Sequence, residues 1–193
     1  MIGWHFTSGR VCAHDAQPIV VGETITVDPP LALCSRGLHA SERILDALVY
    51  APGSLCWRVE LSGEILRGTD KLCAQHRRAL WVVDAEAILW RFARWCSLQV
   101  APFAWPDGAP EAVLRWLVLG DESARAAARA AARDAAWDAA RAAARDAANR
   151  TLEAWIEAAR ETPAFDVRIH EHEVRDAVRP LVQRAWALGE VAR

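Results

Sequence analysis

Lysine, tyrosine and methionine occur once each in this 193-residue chain, as Lys71, Tyr50 and Met1. Arginine therefore supplies almost all of its 23 basic side chains, which 25 acidic ones offset to a formal net charge of −2. That balance excludes a generally polyanion-seeking surface. No apolar run reaches the ~18–20 residues of a membrane helix, and the opening MIGWHFTSGR lacks the apolar core of a signal peptide. No CxxC pair occurs among the five cysteines, Cys12, Cys34, Cys56, Cys73 and Cys96, and their number is odd. The expected setting is a reducing cytoplasm, with most of the thiols as small core residues. What the chain does have is 53% apolar residues and ten tryptophans, enough for a good-sized core. Tryptophan and arginine in excess of tyrosine and lysine suggest a GC-rich bacterial or phage genome.

Ile2 to Phe6 reads as an opening strand, with β-branched runs at Ile19–Val21 and Thr24–Val27 closed by Pro29-Pro30. Leu31 to Cys34 suits a short strand before a Ser35-Arg36-Gly37 turn. Ser41 is placed to cap a helix over Glu42 to Tyr50, with Ile44, Leu45, Leu48 and Val49 as its apolar stripe and Pro52-Gly53 as its stop. Leu55 to Leu61 alternates, Leu55, Trp57, Val59 and Leu61 against Cys56, Arg58 and Glu60, and predicts a half-buried strand. Ala79 to Val83 predicts another. Asp84 then caps a helix from about Ala85 to Val100 whose buried face is Ile88, Leu89, Phe92, Ala93 and Cys96. The expected fold is α+β: a mainly antiparallel sheet with two helices over residues 1–101, then a helical extension over 102–193.

That extension opens with a Pro/Trp/Gly linker and a short helix, Glu111 to Leu119, stopped by Gly120. Asp121 heads a long alanine-rich helix expected to run to about Glu161, and a last helix, bent or interrupted at Pro180, is expected over 172–188. Asp121→Arg125 and Asp146→Arg150 are spaced as i,i+4 ion pairs. Arg125, Arg129, Arg133, Trp137, Arg141 and Arg145 recur along the long helix as a candidate partner-binding surface. Residues 121 to 161 hold seven arginines and eight acidic residues, so nucleic acid is not the expected partner. A step of four residues also drifts about 40° per repeat around the helix, which spirals the arginines instead of lining a groove. Small alanine faces suit docking on a neighbour, a protein or a second copy. His170-Glu171-His172 offers two imidazoles, but no third ligand lies at helpful spacing, so no metal is expected. Cys34 beside Arg36 and His39 is a candidate activated thiol, although its place at the end of an apolar run suits burial.

Residues 34 to 71 carry a resemblance. Cys34, Gly37-Leu38-His39-Ala40-Ser41, Leu45-Asp46, Tyr50, Val59-Glu60, Ser62-Gly63-Glu64-Ile65 and Asp70-Lys71 resemble an uncharacterised domain of phage and prophage accessory proteins, some with Ala-Arg-Asp-rich tails. That likeness, the incomplete catalytic machinery and the alanine-rich helix together lead to the expectation of a cytoplasmic protein that binds a host or phage protein, with interference in a host defence system as one role. A structural virion component is an alternative. The chain is also similar, more distantly, to ADP-ribosyltransferases of the diphtheria-toxin/PARP type. Gly3-Trp4-His5 opens the chain, Gly37 to Ser41 leads to Tyr50, and Val59 to Glu64 follows. This likeness implies that His5 holds a nicotinamide ribose, Tyr50 stacks on the ring and His39 joins the same cleft, with NAD as the ligand; on the other readings no cofactor is expected. It departs from those enzymes at Ala79 to Asp84, where no glutamate stands at the head of the strand to stabilise an oxocarbenium-like transition state. The plainer reading keeps Gly37 as a turn residue and His39 and Tyr50 as packing residues over a sheet edge.

Overall fold

A computed structural model describes residues 1–12, 17–132, 145–162 and 165–191. The fold is α+β, and it clusters into two compact units, Met1–Glu86 with Leu152–Pro163 and Ala87–Thr151 with Ala164–Arg193. The predicted grouping kept 87–101 with the sheet and 152–163 with the helices; contact clustering groups both stretches the other way.

The first unit is built on an antiparallel sheet: β1 (Ile2–Thr7), β2 (Thr24–Thr26), β3 (Leu38–Ala40), β4 (Leu55–Arg67) and β5 (Leu72–Asp84), with a short helix α1 (Ile44–Val49) between β3 and β4. The spine is the β4–β5 hairpin, on which β1 pairs with β4 and both β2 and β3 pair with β5. Beyond β3, Ser41 and Trp4 exchange backbone hydrogen bonds of 2.7 and 2.9 Å. This bridge joins the end of β3 to β1 and curls the sheet on itself. Gly3 makes that approach possible, since a Cβ there would lie 3.1 Å from both the Ala40 Cβ and the Ser41 carbonyl oxygen.

From Trp57 to Leu61 the expected alternation holds, but Cys56, expected on the open side, is fully buried, and β4 continues to Arg67 through a register shift between Ser62 and Ile65. Trp57, Val59 and Leu61 point into a core completed by Ile19, Ile25, Leu38, Leu72 and Ala79. The opposite face carries a row of rings and guanidinium groups. Arg58 sits 4.1 Å over Trp4, Trp4 meets Trp81 edge-on at 5.8 Å, and Arg160 of the Leu152–Pro163 segment lies 5.5 Å over Trp81. Part of the tryptophan excess thus has a use: each ring buries area and offers a face to a cation.

Several predicted elements differ from the structure. Leu31 to Cys34 is a turn, not a strand, because Cys34 adopts φ +68° and reverses the chain. Ser41 does not cap α1; its backbone is committed to Trp4, and the helix starts at Ile44 with Arg43 before it. Val49 is exposed, and the buried face of α1 is Ile44 and Ala47, one helical turn apart. Of the two β-branched runs, only Thr24–Thr26 forms a strand, while Val21 makes a single bridge to Ala79.

In the second unit α2 (Glu86–Ala104) runs past Val100 and carries Pro102 in its last turn, where only one intrahelical donor is lost. Its buried face is Ile88, Phe92, Trp95 and Leu98 together with Arg91 and Arg94, not Ala93, which is exposed. The stripe departs from the apolar pattern because both arginines are satisfied inside. Arg91 donates to the Arg168 carbonyl and to both oxygens of Glu173 at 2.6 and 2.8 Å. Arg94 donates to the carbonyls of Trp116, Leu117 and Val167. Burial, with the Arg91 charge second, lowers its guanidinium to about 10.

The short helix α3 (Glu111–Leu114) widens into a π turn, Arg115–Leu119, that ends at Gly120 in the left-handed region. Asp121 accepts from the Ser123 amide and pairs with Arg115 at 2.6 Å, so Arg125 pairs with Glu122 instead, also at 2.6 Å. The long helix is described as α4 (Arg125–Ala132) and α5 (Arg145–Glu161); residues 133–144 between them lie outside the described residues. The last helix, α6 (Arg179–Val191), carries Pro180 in its first turn instead of bending there, since proline fits a first turn whose N–H groups have no partner anyway. The expected start of that helix at 172 is replaced by two separate 3₁₀ turns, Glu171–Glu173 and Asp176–Val178. No described helix is long and apolar enough to cross a membrane.

Candidate functional site

The first unit holds a cavity of about 640 Å³, and His5, His39 and Tyr50 all line it. The curled sheet explains how three residues so far apart in sequence meet. His5 follows Trp4 and His39 precedes Ala40-Ser41, so the Trp4–Ser41 bridge draws the two imidazoles into one wall. His5 is paired directly opposite Trp57 across β1 and β4, and residues so paired project from the same face. That is the face of the buried core. Tyr50 comes from the end of α1, with half of its surface exposed.

Each wall residue has a defined state. The His5 ring has no hydrogen-bond partner among the described residues, and burial first, then the charges of Arg77 and His39, hold it well below the ordinary imidazole value. It is therefore neutral at pH 7 and can donate from one nitrogen and accept at the other. The Cys34 amide donates to Nε2 of His39 at 3.1 Å, which fixes the His39 proton on Nδ1 when that ring is neutral. The Tyr50 hydroxyl donates to Asp70 at 2.6 Å. Lys71 holds its ammonium nitrogen 4.1 Å from the centre of the Tyr50 ring, and hydrogen bonds to Cys34 first and Tyr50 second raise it above the usual lysine value. Cys34 is exposed at this rim, not buried as the apolar run before it implied, because the left-handed turn swings it outward.

Sequence reasoning missed Arg77, which is 4% exposed and donates to the His39 carbonyl at 2.9 Å and to Sγ of Cys12 at 3.1 Å. One signal was available: stepping back two positions from Ala79 puts Arg77 on the core side of the strand. It also missed the place of Lys71 over Tyr50, for which no local pattern exists. Gly37, with φ +129°, shapes the wall between Cys34 and His39; a Cβ there would lie 2.3 Å from Sγ of Cys73. Arg36, Lys71 and Arg77 line the cavity, and no aspartate or glutamate does among the described residues.

The other candidates sit elsewhere. Arg125 lies over Trp90 and Trp116, at 5.0 and 5.3 Å, while Arg129 and Arg145 are exposed. Arg133, Trp137 and Arg141 lie outside the described residues. His170 bonds to Asp166 at 3.1 Å and packs against Trp186, and no group of described His, Cys, Asp and Glu residues could hold a metal ion.

The family model of a domain of unknown function, DUF7666, matches residues 6–91. The matched stretch is just under half of the chain and carries most of the sheet and cavity wall. No curated protein and no solved structure matches the chain.

Proposed function

We propose that the first unit is a nucleotide-binding module, similar to an ADP-ribosyltransferase, that holds an NAD-class ligand without transferring its ADP-ribose. The observation that carries this reading is the shared cavity of His5, His39 and Tyr50, whose volume of about 640 Å³ suits a ligand of nucleotide size. The neutral His5 serves as a two-way hydrogen-bonding group for a ribose hydroxyl. The half-exposed Tyr50 ring offers a stacking surface for a base or nicotinamide. Transfer needs a carboxylate beside the developing positive charge. The acid nearest to that role, Asp84 at the end of β5, accepts from the Ser54 hydroxyl and the Glu86 amide.

Calorimetric titration of the full chain with NAD tests the reading. Saturable heat in the wild type that is lost in a His5→Ala/Tyr50→Phe double variant supports it, with no nicotinamide released on long incubation. Absence of heat in the wild type rejects it. The protein-binding role of a phage accessory protein is the second reading, favoured by the exposed Ala126, Ala127 and Arg129 face of α4.

A further inference from the structure

The cavity wall is graded from a buried charge to an exposed ring, and that grading bears on how a ligand sits in it, an inference that rests on the nucleotide-binding reading. At the open rim the charges are balanced or screened. Lys71 stands 4.1 Å over the Tyr50 ring, and the Asp70 carboxylate accepts from the hydroxyl of the same ring at 2.6 Å. Arg36 is exposed, and solvent leaves an exposed cation little pull on an anion. The inner wall differs. Arg77 is 4% exposed and still lines the cavity, where a charge acts through a lower dielectric. Its guanidinium is fixed by donations to the His39 carbonyl at 2.9 Å and to Sγ of Cys12 at 3.1 Å. Sulfur is a weak acceptor, so an anionic oxygen competes well for that second donor. The Arg77 charge is also felt at the His5 ring. From the inside outward, the wall runs from a buried cation through the partly buried His5 to the half-exposed Tyr50. A nucleotide is joined in the same order, phosphate to ribose to base.

We infer that the cavity takes a nucleotide phosphate first, with Arg77 as an anion-binding residue of the inner wall, His5 at the ribose and Tyr50 at the base. A preference for phosphorylated ligands over nucleosides then comes from Arg77 more than from the exposed cations of the rim.

The test is calorimetry on the full chain with ADP, adenosine and NAD, joined to an NMR titration with inorganic pyrophosphate. The expected wild-type result is ADP binding about ten- to a hundredfold tighter than adenosine. Arg77→Gln should bring that ratio close to one, and Arg77→Lys, which keeps the charge without the forked geometry, should retain part of it. Arg36→Gln should lower it less than Arg77→Gln does. The unaltered protein gives a second readout that no folding defect can obscure. Pyrophosphate alone should shift the His5 ring signals saturably and ahead of those of Tyr50, the single tyrosine. ADP no tighter than adenosine, a ratio more sensitive to Arg36 than to Arg77, or pyrophosphate shifts at Tyr50 with none at His5, overturns the inference while nucleotide binding stands. If neither NAD nor ADP binds the wild type, the reading beneath it is rejected as well.

Discussion

His5 is held neutral by the fold, and that has a sign that pH can read. Its folded-state value lies well below the 6.5 of a free imidazole, so the unfolded chain binds the extra proton first as the solution is acidified. The stability due to a neutral His5 is complete above about pH 6.5 and drains away as pH falls toward the folded-state value. A His5→Gln variant should therefore show a flatter loss of Tm between pH 6.5 and 5 than the wild type; parallel curves would show that the fold does not disfavour the protonated His5 ring. Cys34 gives a second residue-scale prediction. It is exposed at the cavity rim, whereas Cys12, Cys56 and Cys73 are buried and burial pushes the Cys96 thiol up to about 11. A thiol-specific reagent should label the native chain first at Cys34, and Cys34→Ser should remove that fastest phase. His5, His39 and Tyr50 could be singled out because each stands in or beside a short distinctive stretch, Gly3-Trp4-His5 and Gly37 to Tyr50. Arg77 and Lys71 were not, since their partners lie 38 and 21 residues away and no short-range pattern encodes such meetings.

Among the elements, the strands with clear alternation were readable and the short ones were not. Leu55 to Leu61 announces itself by period two, but β3 has only three residues, Leu38 to Ala40, too few for any period to show. Ser41 looked like a helix cap because serine before an apolar stripe usually is one. A long-range backbone bridge to Trp4 outcompetes that local role, and the same bridge brings His5 beside His39. Gly37 governs this wall. A Gly37→Ala substitution places a methyl group against Sγ of Cys73 at a positive φ that alanine resists, and should cost about 1–3 kcal/mol of stability. Denaturant unfolding measures it, and a loss below ~0.5 kcal/mol would show the turn is free to relax. Ligand affinity should fall with it, since Cys34 and His39 flank the turn.

At the scale of the whole molecule, apolar patterning explains the sheet unit better than the helical one. In the helical unit two buried arginines act as internal connectors. Arg94 ties α2 to the end of the π turn and to the Val167 carbonyl, and Arg91 with Trp95 ties it to Glu173, Trp95 donating to the Glu173 carbonyl at 2.7 Å. Arginines on a predicted amphipathic helix read as solvent-facing, which is why the expected stripe was misplaced. Arg94→Leu leaves three carbonyls without that donor and should cost about 2–4 kcal/mol. Glu173→Gln, which strips the buried Arg91 of its counter-charge, should cost about 3 kcal/mol. Thermal unfolding of each variant checks both values; wild-type Tm in either would mean that these buried cations are satisfied by other groups.

The measurement that goes most directly to the central claim is an amide NMR titration of the full chain with ADP-ribose. Binding in the cavity predicts saturable shifts concentrated at Trp4–Ser8, Cys34–Ser41 and Tyr50, the segments that line it. Shifts confined to the helical unit, or none at millimolar ligand, would contradict the account.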